Sequence, residues 1–320
     1  MISRGHVLNE PLSIACYTVI KEHGKVNGSL PTGLFFNKVL SILNKEMEEA
    51  HMPIHLPHCW YRWGDEVVRV LMPPDLEWIH EDPPRTTVTW SGEPPEIPPG
   101  VVIYDRIAQR ARQLVATYAS PDRIEELVDY VYSYAPFPFQ DHYRRLRTMF
   151  IDLRGSEIPV ENLTDSMLSP LLRNAMAAFP HHDFPELSDR ARTFETAMTA
   201  LLGAGMEALV LARELSEAFW FVFCYFLRLH PAAHQYVPQK TLDYWVANLD
   251  TQVTHFDNSF NGILVESADK IPGILADRRI ASMVDASRRA REEDLRFIRG
   301  FDSELNDLGK FADTIRRAWG

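Results

Sequence analysis

The chain has 320 residues, of which 46% are apolar, 24% charged and 11% aromatic, a globular composition with length enough for two domains and a sizeable core. A formal charge of −11 and a pI near 5.6 exclude a protein whose whole surface grips nucleic acid, so any such contact has to be local. Cys16, Cys59 and Cys224 are odd in number and lack C-x-x-C spacing, which excludes a disulfide framework and a zinc ribbon.

Residues 1–10 contain no apolar leader, and the most apolar run, 218–227, is about half of the roughly 20 residues that span a bilayer. A cytoplasmic protein without membrane contact is expected. Residues 11–23 place Ile14, Ala15, Tyr17, Thr18 and Val19 at helical spacing, with Pro11 in the first turn and Gly24 as a stop. Residues 32–50 predict a second, amphipathic helix: Leu34, Phe35, Val39, Leu40, Ile42, Leu43 and Met47 face one way, Lys45, Glu46, Glu48 and Glu49 the other.

The densest cluster of large side chains follows, His58-Cys59-Trp60-Tyr61-Arg62-Trp63-Gly64. Pro53 and Pro57 prevent a helix through His55, whereas Val67, Val68 and Leu71 predict a short helix over 62–70. Trp60 and Trp63 are expected to be buried and to fix that helix against 32–50. Residues 76–79 and 86–90 are β-favouring runs that read as a hairpin. Helix, helix, short helix, hairpin is the order of a winged helix-turn-helix, so 1–96 is expected to be a winged-helix-like domain. Its candidate binding residues are Trp60, Arg62, Trp63 and Arg69. Acidic neighbours such as Glu66, Asp75 and Glu77 make protein docking the alternative to DNA contact.

Four prolines and two glycines in 91–100 read as a stiff linker or surface loop, placing a domain boundary there. Residues 101–320 are then a helical bundle domain, with a candidate sub-boundary near 155–165. Helices are predicted over 101–119, 122–133 and 141–153. The aromatic corner Phe137-Pro138-Phe139 reads as a plug of its own core, or with Arg144 and Arg145 as an anion-binding helix start. After a short helix opened by Ser169-Pro170, Phe194, Met198, Leu202, Phe219, Phe223 and Leu227 recur along one long helix from about 187, bent near Gly203-Ala204-Gly205. Further helices are predicted over 238–253, 278–299 and 303–319. The fold class is therefore mainly α: a winged-helix-like module with a small β-hairpin, then a multi-helix bundle built on a long central helix. Arg288, Arg289, Arg291 and Arg296 lie along 278–299 among Asp285, Glu292 and Glu293, reading as a salt-bridged face or as a phosphate or protein contact.

Arg228 and His234 are separated by Leu-His-Pro-Ala-Ala. The pair resembles the R-x4-6-H signature of HEPN ribonucleases, which implies an arginine steadying the scissile phosphate and a histidine moving a proton in attack by the 2′-hydroxyl, without a metal. The alternative is a helix terminus in which His230 and His234 satisfy backbone groups. Pro231 interrupts the His230/His234 spacing, and Glu48-x-x-His51 has no second copy, so no metal is expected. Phosphate-loop, dinucleotide and nucleophile-elbow motifs are absent, and no cofactor is expected. Together these readings predict a non-enzymatic interaction or regulatory protein acting through a protein partner, a second copy or nucleic acid. A HEPN-like ribonuclease using Arg228 and His234 is the alternative.

Overall fold

Helix α1 (Glu10–Asn27) buries Leu12, Ile14, Ala15, Cys16 and Val19, one apolar face repeated at helical spacing. Helix α2 (Gly33–Glu49) starts where the Thr32 hydroxyl accepts the Phe35 N–H at 3.3 Å, a standard N-cap. It buries Phe36, Val39, Leu40 and Leu43 completely. These belong to a computed structural model that describes residues 10–80, 86–152, 167–204 and 206–292. The protein is mainly helical with small antiparallel sheets, and it divides into two compact units. The first comprises Met1–Arg145, Ala177–Phe184 and Trp220–Val253; the second comprises Leu146–Met176, Pro185–Phe219 and Thr254–Gly320.

In the first unit, strands β1 (His58–Tyr61) and β2 (Gly64–Val67) form a hairpin with His58 opposite Val67 and Tyr61 opposite Gly64. Strands β3 (Leu76–His80) and β4 (Thr86–Trp90) form a second antiparallel pair, bridged to Thr32 through Thr87. Residues 91–100 lead from β4 to helix α3 (Val102–Tyr118) inside this unit, with the Ser91 N–H bonded to the Asp75 carbonyl at 2.9 Å. Helix α3 packs along α1, and helix α4 (Ile124–Tyr132) packs on α2. A two-residue strand β5 (His234–Gln235) completes the first sheet by pairing with β1 on the edge away from β2. Helix α5 (Pro138–Asp152) runs from the first unit into the second.

The short helix expected over 62–70 is instead the β1–β2 hairpin and a 3-10 turn at Arg69–Leu71. Val67 closes a strand and Val68 opens that turn, so their helical spacing arises from two different local structures. Gly64 takes φ +87° directly after the Arg62-Trp63 turn, a conformation that favours glycine. Trp60 is buried as expected, but Trp63 is 58% exposed because it sits at the hairpin tip.

The second unit contains helix α6 (Ser169–Ala177) up to Met176 and helix α7 (Ser188–Leu202). It also holds the N-terminal part of α8 (Met206–Leu227). The single long helix expected from 187 is thus two helices. The first ends at Leu202, and Gly203-Ala204 form a tight turn with the Ala204 N–H bonded to the Leu201 carbonyl at 3.1 Å. Phe194 and Phe219 stack at 4.4 Å and 8°. After helix α9 (Gln239–Ala247) in the first unit, α10 (Leu249–Lys270) enters the second, where a helix over 278–292 buries Ile280 and Val284. The expected sub-boundary at 155–165, the helix over 303–319 and Arg296 lie outside the described residues. Among those residues, no helix is long and apolar enough to cross a membrane.

Candidate functional site

The buried face of α2 carries a polar residue at every third position: Lys38, Ser41 and Asn44. Burying polar groups is costly unless each finds a partner, and the β1–β2 hairpin supplies partners for the first two. Lys38 Nζ is completely buried and donates to the Trp63 carbonyl and, at 2.9 Å, to the Asp65 carbonyl. Ser41 donates to Asp65 Oδ2 and has the Tyr134 hydroxyl 2.8 Å away. His58 Nδ1 lies 2.5 Å from Asp65 Oδ1, and its Nε2 lies 3.1 Å from Gln235 Oε1, tying β5 to β1. The tip is pinned twice more: Trp63 N–H donates to Glu66 at 2.8 Å, and Trp220 Nε1 donates to the Arg62 carbonyl at 2.9 Å.

These groups set each other's charge. Burial opposes ionisation of His58, but the Asp65 carboxylate beside it wins and raises the imidazole to about 9. Burial likewise opposes ionisation of Asp65, yet the His58 charge and hydrogen bonds hold its carboxyl below the ordinary range. Burial lowers Lys38 to about 8 against the attraction of Glu66 and Asp65. At neutral pH the network is therefore a protonated His58 on an ionised Asp65, with both imidazole N–H groups engaged.

Strand alternation separates this network from the other side of the sheet. Cross-strand partners share a face, so Cys59 and His234 lie with Tyr61, opposite His58, Gln235, Trp60 and Asp65. Against Tyr61 lies Arg228. Its guanidinium is 5.1 Å from the Tyr61 ring centroid, 5.0 Å from Tyr225 and 5.1 Å from Trp245, within the range of cation–π attraction. Among the described residues it has no carboxylate partner and no acceptor, and its Nε is buried without one. Beside it, Arg62 stacks 4.1 Å over Phe221 and donates to the Tyr225 hydroxyl at 2.9 Å. Helix α9, which supplies Trp245, has no buried residue, and Tyr244 on it is exposed. Burial and the neighbouring His58 and His230 lower the pKa of His234, so its imidazole is neutral at pH 7.

The arrangement brings Arg62 and Arg228 together on shared aromatic rings and sets His234 on the same sheet face. The other candidate residues are elsewhere. Arg69 lies 4.1 Å over Trp78. Arg144 is held by Asp129, Glu125 and Asp141 and faces the Tyr132 ring, while Arg145 pairs with Asp141 at 2.8 Å. In the second unit Arg288 pairs with Asp269 at 2.5 Å, Arg289 donates to the Asp285 carbonyl at 3.3 Å, and Arg291 is exposed. Sequence reasoning missed Lys38, Ser41, Asp65, Tyr225 and Trp245. Only the polar three-residue rhythm on α2 signalled any of them. No group of three or more metal-ligating side chains occurs among the described residues. Comparison with protein-family models, curated proteins and solved structures finds no match for the chain.

Proposed function

We propose that the protein is a non-enzymatic, cytoplasmic interaction protein that engages a protein or nucleic-acid partner through the face formed by Tyr61, Arg62, Tyr225, Arg228 and Trp245. One observation carries the reading: Arg228 presents a guanidinium that no carboxylate neutralises among the described residues, with aromatic rings around it. Arginine, tyrosine and tryptophan are the residues on which binding energy concentrates, and an oxyanion on the partner would supply the missing acceptors. In the winged-helix-like reading of 1–96, β3 and β4 are the wing, and the β1–β2 hairpin takes the place of the recognition helix. Recovering the tagged chain from its native source tests the proposal. Partners captured by the parent should be lost from an Arg228→Gln variant of unchanged melting temperature; an identical set of captured partners overturns it.

A HEPN-like ribonuclease using Arg228 and His234 is the second reading. It is favoured by the lowered pKa of His234, which provides a neutral base at pH 7, and by its position on the sheet face against which Arg228 lies. Cleavage of single-stranded RNA in the presence of chelator, abolished by both Arg228→Gln and His234→Ala, supports it. Intact RNA after prolonged incubation with the parent removes it.

A further inference from the structure

We infer that the outer edge of β3 takes an extended segment of a protein partner as an added antiparallel strand, one that carries basic side chains at alternate positions. This surface is separate from the Arg228 face, so the inference goes beyond the reading above and does not depend on it.

A strand edge presents backbone donors and acceptors that pair with a strand laid along it, and folded chains usually cover such edges. Among the described residues, this chain covers its other edges. On β2 the Asp65 carbonyl accepts from the Lys38 ammonium at 2.9 Å. On β4 the Val88 N–H donates to the Pro31 carbonyl at 3.0 Å, beside the Thr32–Thr87 bridge. Strand β5 is only two residues long. The outer edge of β3 is left.

The register shows which groups on that edge are open. Val88 turns its N–H away from β3, so Val88 and its partner Trp78 form a non-hydrogen-bonded pair, and the backbone groups of Trp78 point outward. Two residues on, His80 opposite Thr86 repeats that orientation. The Ser91 N–H bonded to the Asp75 carbonyl fixes the same alternation from the other end of the strand. Among the described residues, no group bonds to the N–H or carbonyl of Trp78 or His80 from the open side.

Charge selects the partner. Asp75, Glu77 and Ile79 alternate onto the solvent face of β3. Glu77 is exposed and Ile79 is 39% exposed, and neither carboxylate meets a cation among the described residues. Asp75 also borders a groove lined by Glu10, Glu93 and Glu96 and by no basic residue. The basic groups nearby belong to the opposite face: Arg69 lies over Trp78, and His80 bonds the Thr86 hydroxyl at 3.0 Å. Glu81, Asp82 and Arg85, between the two strands in sequence, add two acids against one base. An incoming strand is therefore matched by two basic residues at i and i+2, opposite Glu77 and Asp75, and by an apolar residue at i−2, opposite Ile79. A second copy of β3 would instead bring its own Asp75 and Glu77 onto the same face, between chains of charge −11.

The test is fluorescence anisotropy with a labelled peptide containing Thr-Val-Thr-Lys-Thr-Lys, whose threonine amides would face β3. One control replaces both lysines with glutamate, and another N-methylates the threonines to remove the pairing donors. The lysine peptide should bind, and each control at least about tenfold more weakly. Glu77→Lys, at an exposed position that leaves the fold intact, should weaken the lysine peptide about tenfold and strengthen the glutamate peptide. Amide hydrogen exchange gives a second readout. In the protein alone, the Trp78 and His80 N–H groups should exchange faster than those of Glu77 and Ile79, and the lysine peptide should slow them. No binding of the lysine peptide overturns the inference, as does binding that neither Glu77→Lys nor N-methylation weakens or that leaves exchange at Trp78 and His80 unaltered. Protection of those two amides that grows with the concentration of the protein alone also overturns it, by assigning the edge to a second copy.

Discussion

His58 Nδ1 and Asp65 Oδ1 lie 2.5 Å apart within the first unit, and the far nitrogen of the same ring reaches Gln235 on β5. One imidazole thus joins two strands that meet only through tertiary folding, and its protonation state is part of what holds them together.

The first prediction is a fall in stability on the alkaline side. His58 has a folded pKa of about 9 against an ordinary 6.5. Its stabilisation is fully present below pH 6.5 and is lost as pH rises through 9. Asp65, depressed in the fold, reports the same pair from the acid side: its contribution holds above the ordinary carboxyl range and disappears as pH falls through the depressed value. Lys38, lowered from 10.5 to about 8, acts oppositely; it costs stability below about 8, and that cost fades between 8 and 10.5. Urea unfolding should therefore show a loss on the order of 3 kcal/mol from His58 between pH 6.5 and 9, partly offset by Lys38 in the upper part of that window. His58→Gln should remove the loss. The same slope in parent and variant would assign the alkaline limb to other groups.

The second prediction concerns Gly64. A Cβ there would stand 2.9 Å from Lys38 Nζ and 2.9 Å from Tyr132 Cε2, at φ +87°. Gly64→Ala combines left-handed strain with overpacking, roughly 2–4 kcal/mol in total. Gly28 has φ +64° and no neighbour within 4 Å of its Cβ position, so Gly28→Ala should cost only about 1–2 kcal/mol. Equal losses from the two substitutions in chemical denaturation would show that crowding under the hairpin tip is energetically silent.

The third prediction separates the two tryptophans of the hairpin. Trp60 is 3% exposed and lies edge-on to Tyr132 at 5.5 Å and Tyr134 at 6.2 Å. Truncating it to alanine should cost about 3–5 kcal/mol. Trp63 projects from the tip, and Trp63→Ala should change stability by about 0.5 kcal/mol or less. Thermal melts decide; a Trp63→Ala loss as large as that of Trp60→Ala would place its ring in the core.

The helices α1 and α2 were legible because a wide apolar face repeats over four turns or more, but the stop expected at Gly24 came too early: α1 runs on to Asn27, and the chain leaves it at Gly28, whose φ is +64°. The hairpin was not legible, because four-residue strands are too short to establish alternation, and Val67, Val68 and Leu71 mimic helical spacing across a strand and a turn. Its third strand is contributed by His234 and Gln235, which nothing local assigns to β1. The site follows the same rule. Arg62 and Tyr225 are 163 residues apart in sequence, so each was readable as a cation or an aromatic but not as a pair. The buried Lys38 was the missed opportunity: a lysine on the apolar face of an amphipathic helix requires acceptors, and that requirement points to a partner element before any coordinates do.

The last prediction compares two ion pairs of the second unit. Arg147 meets Glu217 through two hydrogen bonds of 2.9 and 2.7 Å, with the arginine side chain 8% and the glutamate 35% exposed. Arg190 meets Asp257 through two bonds of 2.8 and 2.6 Å, but at 29% and 36% exposure. The paired hydrogen bonds are alike in geometry, and the two pairs differ in their exposure to solvent. Water screens the more exposed pair, whose double-mutant coupling should be about 1 kcal/mol or less. For the other pair, Glu217→Gln removes the carboxylate charge that meets the buried Arg147 guanidinium through two hydrogen bonds. Removal of one partner from a fully buried pair costs about 3–5 kcal/mol, and the partial exposure of Glu217 reduces the expected loss to about 2 kcal/mol. Replacing both members with methionine restores an apolar contact in place of the charges, so that double variant should be more stable than either single methionine variant. The cycle is measured by urea unfolding at low and high salt. A coupling energy for Arg147–Glu217 that is no larger than for Arg190–Asp257, or that collapses in salt to the same extent, would mean that water reaches the Arg147 guanidinium despite its burial.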